Sequence, residues 1–425
     1  MSWYFAFFLI SGFCGILYEL IWMRLAMAEF GVTTALVSIV LSMFMAGLGA
    51  GSWATGALIR SRGQRLKLPP LRLYALAELL IGVSAVIVPI ELARGHRLLA
   101  GMAQHVPISS GTYYLIAGTC LALTLVPWCS CMGATIPLAM FAIGTDRRYE
   151  ARRSFSFLYV ANLVGAVAGS VIPLFLIEVH GFRATLRVGA VLNAAIATSA
   201  FLLTLANSSH TSRVPLQVAD ATAVRPAQRN MPLFLLFATG LATMGMEIVW
   251  IRLFTPYVGP LVYSFAIILA TYLLSTFGGS QVYRFWSRRH HHESGLLWVS
   301  LALLGLLPLI TADVRVPMQA ILRIVLGVGP FSAVIGFLTP MLVDRWSAGD
   351  PSRAGRAYAV NVVGCIVGPL VSGFILLPRV GEHVSMLVLG LPWLTMAVWP
   401  GYLKNMKFQR AAAYGVVTAS LAVFF

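Results

Sequence analysis

Two glutamates sit where a carboxylate is costly. Glu19 lies in the apolar stretch SGFCGILYELIWMRL (11–25), and Glu247 in TGLATMGMEIVWIRL (239–253). An ionised carboxylate inside an apolar bilayer-crossing helix is expensive unless it faces a partner or water. The two stretches align at one offset of 228 residues, which maps Glu19 to Glu247, Trp22 to Trp250 and Arg24 to Arg252. Helical spacing puts Ser11, Gly15, Glu19 and Trp22 on one face, and Thr239, Thr243, Glu247 and Trp250 on its counterpart. Small residues one and two turns before each acid leave room beside it. Such carboxylates, facing a central cavity, could bind a cation or carry a proton. The alternative is a buried structural bond, with Arg24 and Arg252 as candidate partners. Five residues of helix set each acid ~140° from its own arginine, which favours pairing across helices over pairing within one.

Other polar residues share these apolar surroundings. Glu78 stands in the third apolar run with no evident counterpart in the second half. That asymmetry suits a specific role, and a helix-packing carboxylate is the equal alternative. YVANLVGAVAG (159–169) matches YAVNVVGCIVG (358–368). Tyr159, Asn162, Tyr358 and Asn361 fall near the cytoplasmic ends of their helices. Gly165 and Gly169, like Gly364 and Gly368, have the four-residue spacing that lets helix backbones approach closely, with the amides available to bond across the contact. GATIP (133–137) matches GFLTP (336–340), and Pro137 and Pro340 should bend their helices.

Several chemistries find no support. The cysteines, Cys14, Cys120, Cys129, Cys131 and Cys365, all lie in apolar segments without a CxxC pair, so they read as packing residues. His290, His291 and His292 follow Arg288 and Arg289 and read as a solvated basic turn. No nucleophile–base pair, Walker loop or HExxH appears, and the glycine-rich stretches lie inside apolar runs. The expectation is no catalytic centre, no metal and no cofactor; the chain reads as a non-enzyme.

The elements that carry these residues follow from composition. Of 425 residues, 59% are hydrophobic and only 10% charged, with a mean hydropathy of +0.85. A soluble domain has about 25% charged residues to cover its core. Lipid must therefore solvate most of this surface, and the bilayer is the first partner. The net charge of +16 is spread in short clusters between apolar runs, the pattern of cytoplasmic loops and not of a nucleic-acid interface. Apolar runs at 3–27, 33–59, 73–92, 112–143, 156–178 and 184–206 precede a polar stretch at 207–230. Six more follow at 231–254, 259–283, 294–311, 317–343, 357–378 and 383–400. The long run at 112–143 holds Pro127 and Pro137, which should bend it.

Alternate loops carry 21 lysines and arginines against seven on the other side. That excess places both ends of the twelve-helix unit in the cytoplasm. The expected fold is an all-α membrane protein of about twelve helices, with halves at 1–206 and 231–400 joined by a cytoplasmic linker at 207–230. The segment 401–425 is basic and then apolar, as a partial thirteenth helix would be, which would mean that the chain continues beyond it. Six helices per half is an even number, so the two copies point the same way, as parallel repeats of the major facilitator kind do.

GALIRSRGQRLKL (56–68) resembles a worn copy of the major facilitator signature between helices two and three, through Gly56, Leu58, Gly63, Arg65 and Leu68. Arg60 stands where that signature has an aspartate. More specifically, SGFCGILYELIWMRL, GATIP and the repeated Y-x-x-N-x-x-G-x-x-x-G resemble the membrane portion of bacterial proteins that fuse a major facilitator part to a spermidine synthase. The resemblance covers nearly the whole chain. It implies a place in the bacterial inner membrane and a link to polyamines. The soluble synthase domain of that family has no counterpart here. Two functions follow as expectations: a transporter-like protein handling a small cationic amine, or a scaffold that docks a soluble synthase-like partner and moves nothing.

Overall fold

The computed structural model describes residues 2–62, 69–105, 109–145, 151–206, 231–259, 261–289, 295–311, 317–347 and 351–398. Among the described residues, nine helical stretches are long and apolar enough to cross a membrane. The described residues form helices α1 (Ser2–Phe30), α2 (Thr34–Arg62), α3 (Pro70–His105), α4 (Ser110–Thr145), α5 (Ala151–Ala206), α6 (Met231–Val258), α7 (Leu261–Arg289), α8 (Gly295–Thr311), α9 (Ala320–Ser347), α10 (Pro351–Val371) and α11 (Leu377–Val398). A single π-helical turn, Ser372–Leu376, joins α10 to α11. A 29-residue helix such as α1 rises ~43 Å, enough for a hydrocarbon core of ~30 Å. The linker at 207–230, His290 to His292 and the segment 401–425 lie outside the described residues.

The chain divides into two compact units, Met1–Asp220 and Ala221–Phe425. In the first, α1 packs along α5, α2 along α4, and α3 against both α4 and α5. In the second, α6 packs along α10 and α7 along α9, with α8 against α9 and α11. Large apolar side chains remain on the outside, among them Leu115, Leu123, Phe175, Phe234 and Ile321. Such a surface is expected where acyl chains are the solvent.

The sequence repeat reappears as repeated packing inside each unit. A Cβ on Gly165 would lie 1.9 Å from the Leu9 carbonyl oxygen, and one on Gly364 would lie 2.2 Å from that of Phe237. Gly12 meets the backbone of Asn162 as Gly240 meets that of Asn361. Gly51 abuts Ser130 and Gly133 abuts Leu48; Gly279 abuts Ala333 and Gly336 abuts Thr276 in the same way. Small residues thus bring α1 onto α5, α6 onto α10, α2 onto α4 and α7 onto α9 at backbone contact, as the glycine spacing predicts. The glycine-rich run GLGAG (47–51) in α2 belongs to this contact through Gly47 and Gly51.

Two of the expected boundaries carry no loop. The runs at 156–178 and 184–206 are two helices that meet at a kink at Gly181 (φ 77°, ψ 171°) within the continuous stretch α5. The runs at 357–378 and 383–400 are joined likewise, by a kink at Gly381 (φ 72°, ψ −175°) within α11. Positive φ costs glycine nothing, so one residue breaks the helix direction where a loop was expected. In α4, Pro127 and Pro137 both sit inside one continuous helix, Ser110–Thr145.

Candidate functional site

The stripe Ser11–Gly15–Glu19–Trp22 lies along α1. Glu19 is only 6% exposed. Among the described residues, no hydrogen bond or ion pair reaches its carboxylate; the thiol of Cys129 on α4 is the ionisable group that feels its charge. A Cβ added to Gly15, one turn earlier, would meet nothing within 4 Å, so the space expected beside the acid is present. Trp22 is fully buried, stacked on Tyr18 at 5.2 Å between ring centroids and tilted against Phe44 at 6.3 Å.

The equivalent stripe on α6 is built differently around the same acid. Glu247 is 4% exposed, beside Cys365 of α10. Trp250 is buried edge-on to Phe331 at 5.7 Å. Asn361 of α10 donates from Nδ2 to the Leu236 carbonyl and to Thr239 Oγ1, both at 2.9 Å. The amide therefore bonds across the α6–α10 contact. In both stripes the buried indole N–H, Trp22 Nε1 and Trp250 Nε1, has no acceptor among the described residues.

Among the described residues, neither arginine is seen in an ion pair with these acids. Arg252 forms an ion pair with Glu382 of α11 at 2.6 Å, and that carboxylate occupies it in place of Glu247. Arg24 is half-buried and makes no ion pair among the described residues. Asn162 is half-buried against Gly12, Tyr358 is exposed, and the Tyr159 side chain is outside the described set.

Glu78 is far from solitary. It is completely buried on α3, and Oε1 accepts a hydrogen bond from Ser11 Oγ at 2.8 Å. Its Oε2 accepts from Asn193 Nδ2 at 2.7 Å, and Asn193 Oδ1 in turn accepts from Tyr18 Oη at 2.8 Å. Cys14 Sγ donates to the Gly189 carbonyl at 3.7 Å close by. The network thus ties α1, α3 and the second stretch of α5 together. Tyr18, Asn193 and Glu382 were not singled out from sequence. A lone asparagine in an apolar run is the signal that could have found Asn193.

Among the described residues, no group of three histidines, cysteines or acids is placed to hold a metal ion. The arrangement offers two buried carboxylates at repeated positions and a third, unrepeated one inside a closed network of neutral donors.

No protein-family model matches the sequence, and no curated protein matches it. Solved structures do resemble it. The nucleoside transporter NupG has a TM-score of 0.58 at 13% identity, over 96% of this chain and 100% of that one. An auto-inhibited POT-family peptide transporter has a TM-score of 0.56 at 13% identity, over 98% and 95%. A POT transporter in complex with alafosfalin gives 0.59 at 13% identity, over 95% of each chain. At such identities the likeness shows a shared fold: this chain is a multi-pass membrane protein with the architecture of those transporters.

Proposed function

We propose that this protein is a secondary-transporter-like carrier of a small organic cation, such as a polyamine, and that Glu19 supplies the counter-charge, with Glu247 as its repeated equivalent in the second half. The observation that carries this reading is Glu19: a carboxylate 6% exposed, beside open space at Gly15, without a hydrogen-bond or ion-pair partner among the described residues. A buried charge is tolerated when a cation pairs with it, and an alkylammonium is such a cation. The fold shared with nucleoside and peptide transporters supports transport as the class of activity. The resemblance of SGFCGILYELIWMRL, GATIP and the repeated Y-x-x-N-x-x-G-x-x-x-G to the fused facilitator–spermidine synthase family supports an amine as the cargo.

The kinks at Gly181 and Gly381 support a count of twelve spans, each dividing one continuous helix into two crossings. The excess of basic residues on alternate loops supports a cytoplasmic N-terminus, and the family resemblance supports a bacterial inner membrane. On this reading the chain works as a carrier and not as an enzyme.

The test is uptake of labelled spermidine into proteoliposomes holding the purified protein. Saturable uptake, competed by other alkylamines and lost in Glu19→Gln, is the expected result. Absence of uptake in the wild type, with a synthase-like soluble protein bound instead, would replace the carrier by a docking scaffold.

A further inference from the structure

The Glu78 network contains a feature that the amine site does not need. Glu78 is 0% exposed, two carboxylate oxygens deep in an apolar unit, and every hydrogen bond it accepts comes from a neutral group. No lysine, arginine or histidine among the described residues forms an ion pair with it. The titratable groups facing it are Cys14 and Tyr18 from α1 and Tyr74 from its own helix, all uncharged as thiol or phenol. Asn193 is the facing polar residue from α5. An ionised carboxylate in this setting has no counter-charge, whereas a neutral one needs only its hydrogen bonds.

The donors are arranged so that both forms can be satisfied. Tyr18 Oη donates to Asn193 Oδ1, which fixes the amide with its Nδ2 toward Glu78. That bond to Oε2 holds whether or not a proton is present, because an amide N–H can only donate. Ser11 is different: its hydroxyl can donate or accept. With Glu78 ionised, Ser11 Oγ–H donates to Oε1 across the 2.8 Å between the two oxygens, a separation that suits either direction of the bond. With Glu78 protonated on Oε1, the new O–H donates to Ser11 Oγ, and the serine proton turns to a carbonyl of the preceding turn of α1. One proton is gained or lost while Glu78 keeps its hydrogen bonds to Ser11 and Asn193.

Ser11 and Glu19 share one face of α1, two turns apart, about 12 Å along the helix. The hydroxyl that must reorient when Glu78 changes charge therefore belongs to the helix that carries the amine-binding acid. Tyr18, bonded through Asn193 to the other oxygen, is the residue next to Glu19.

We propose that Glu78, with Ser11 as its switchable partner and Asn193 as its fixed one, is a proton-binding site separate from Glu19. It couples proton release or uptake to amine movement through α1. The coupling rests on the carrier reading above; the reversible protonation of Glu78 does not. The second half has no acid in α8, so the proton site is confined to the first unit.

Two measurements separate these claims. Infrared difference spectra of the purified protein between about pH 5 and about pH 9 should show a buried carboxylic-acid carbonyl band that titrates. That band should be missing in Glu78→Gln and altered in Ser11→Ala. In proteoliposomes, Glu78→Gln should retain exchange of labelled for unlabelled spermidine, which needs no net proton movement. It should lose accumulation driven by an imposed pH gradient. A wild-type spectrum whose carboxyl bands are unchanged by Glu78→Gln would overturn the proposal, as would a Gln variant that accumulates spermidine like wild type under the gradient. If the wild type shows no exchange at all, the carrier reading fails, and the coupling with it, while the infrared result still decides whether Glu78 takes a proton. A Gln variant that loses exchange and also melts markedly lower would make the network a strut and overturn the proposal.

Discussion

Arg252 Nε lies 2.6 Å from Glu382 Oε1, an ion pair that fastens the last turns of α6 to the stretch of α11 just past its kink at Gly381. The sequence presents Arg252 and Glu247 as neighbours repeated together in both halves. The geometry separates their jobs. Among the described residues the first half has no such pair: phenylalanine follows the kink glycine at Phe182, where glutamate follows it at Glu382. The repeated arginine therefore serves an anchoring role in one unit that it does not serve in the other.

A double-mutant cycle tests this assignment. Both partners are substantially exposed, 43% for Arg252 and 29% for Glu382, so solvent screens the pair. The coupling between Arg252→Gln and Glu382→Gln should be about 0.2–1 kcal/mol in thermal unfolding of the purified protein. Arg252→Gln and Glu247→Gln should be additive. A coupling of Arg252 to Glu247 larger than that to Glu382 would return the arginine to the acid's side.

The glycine contacts give a sharper contrast. In Gly165→Ala the new methyl lands 1.9 Å from the Leu9 carbonyl, and in Gly364→Ala 2.2 Å from that of Phe237. Both obstacles are backbone, so no side chain can swing away. Each change should cost about 1–3 kcal/mol, as overpacking does. Gly278→Ala meets nothing within 4 Å, and alanine favours a helix over glycine by about 0.8–1 kcal/mol. Its melting temperature should hold or rise. Equal losses at all three positions would mean that the helices do not cross where described.

How far the sequence could be read depended on the range of the information. The offset of 228 was visible because it repeats whole residue patterns, and it carried through to matched glycine contacts at Gly51 and Gly279. Glu19 and Glu247 stood out because a charge in an apolar run is conspicuous. The partners of Glu78 were invisible for the opposite reason. Asn193 is 115 residues away and has no repeated counterpart to mark it. Ser11 was assigned to the amine stripe through its helical face, and only packing shows that it turns to Glu78. The runs on either side of Gly181 and of Gly381 were legible as separate apolar stretches, while the way the chain passes between them was not. Here a single positive φ redirects the chain without a loop.

Orientation is open to a direct check. A reporter inserted in the 207–230 segment or in the Arg284–Arg289 region should be active in the cytoplasm, as the 21 to seven distribution of basic residues demands. A reporter placed beside Gly181 or Gly381 should report the opposite side, because each kink would then be a turn between two crossings. A cytoplasmic signal at either kink would remove two crossings from the proposed twelve.

The last prediction sets Glu19 against Asn193. Glu19→Gln removes a charge from a carboxylate that bonds to nothing among the described residues. No protein group loses a partner, so melting should not fall. Spermidine affinity should drop at least about tenfold, or about 1.4 kcal/mol, because the counter-charge is gone. Asn193→Leu does the reverse. It strips the Glu78 Oε2 of its donor and the Tyr18 hydroxyl of its acceptor, both inside a buried network. Leaving such groups unsatisfied costs about 1–3 kcal/mol each, so melting should fall while the Glu19 carboxylate itself is untouched. Binding and melting measured on the same preparations decide the matter. Should Glu19→Gln melt lower than Asn193→Leu and still bind spermidine normally, Glu19 is a packing residue, and the cation must be sought at another carboxylate.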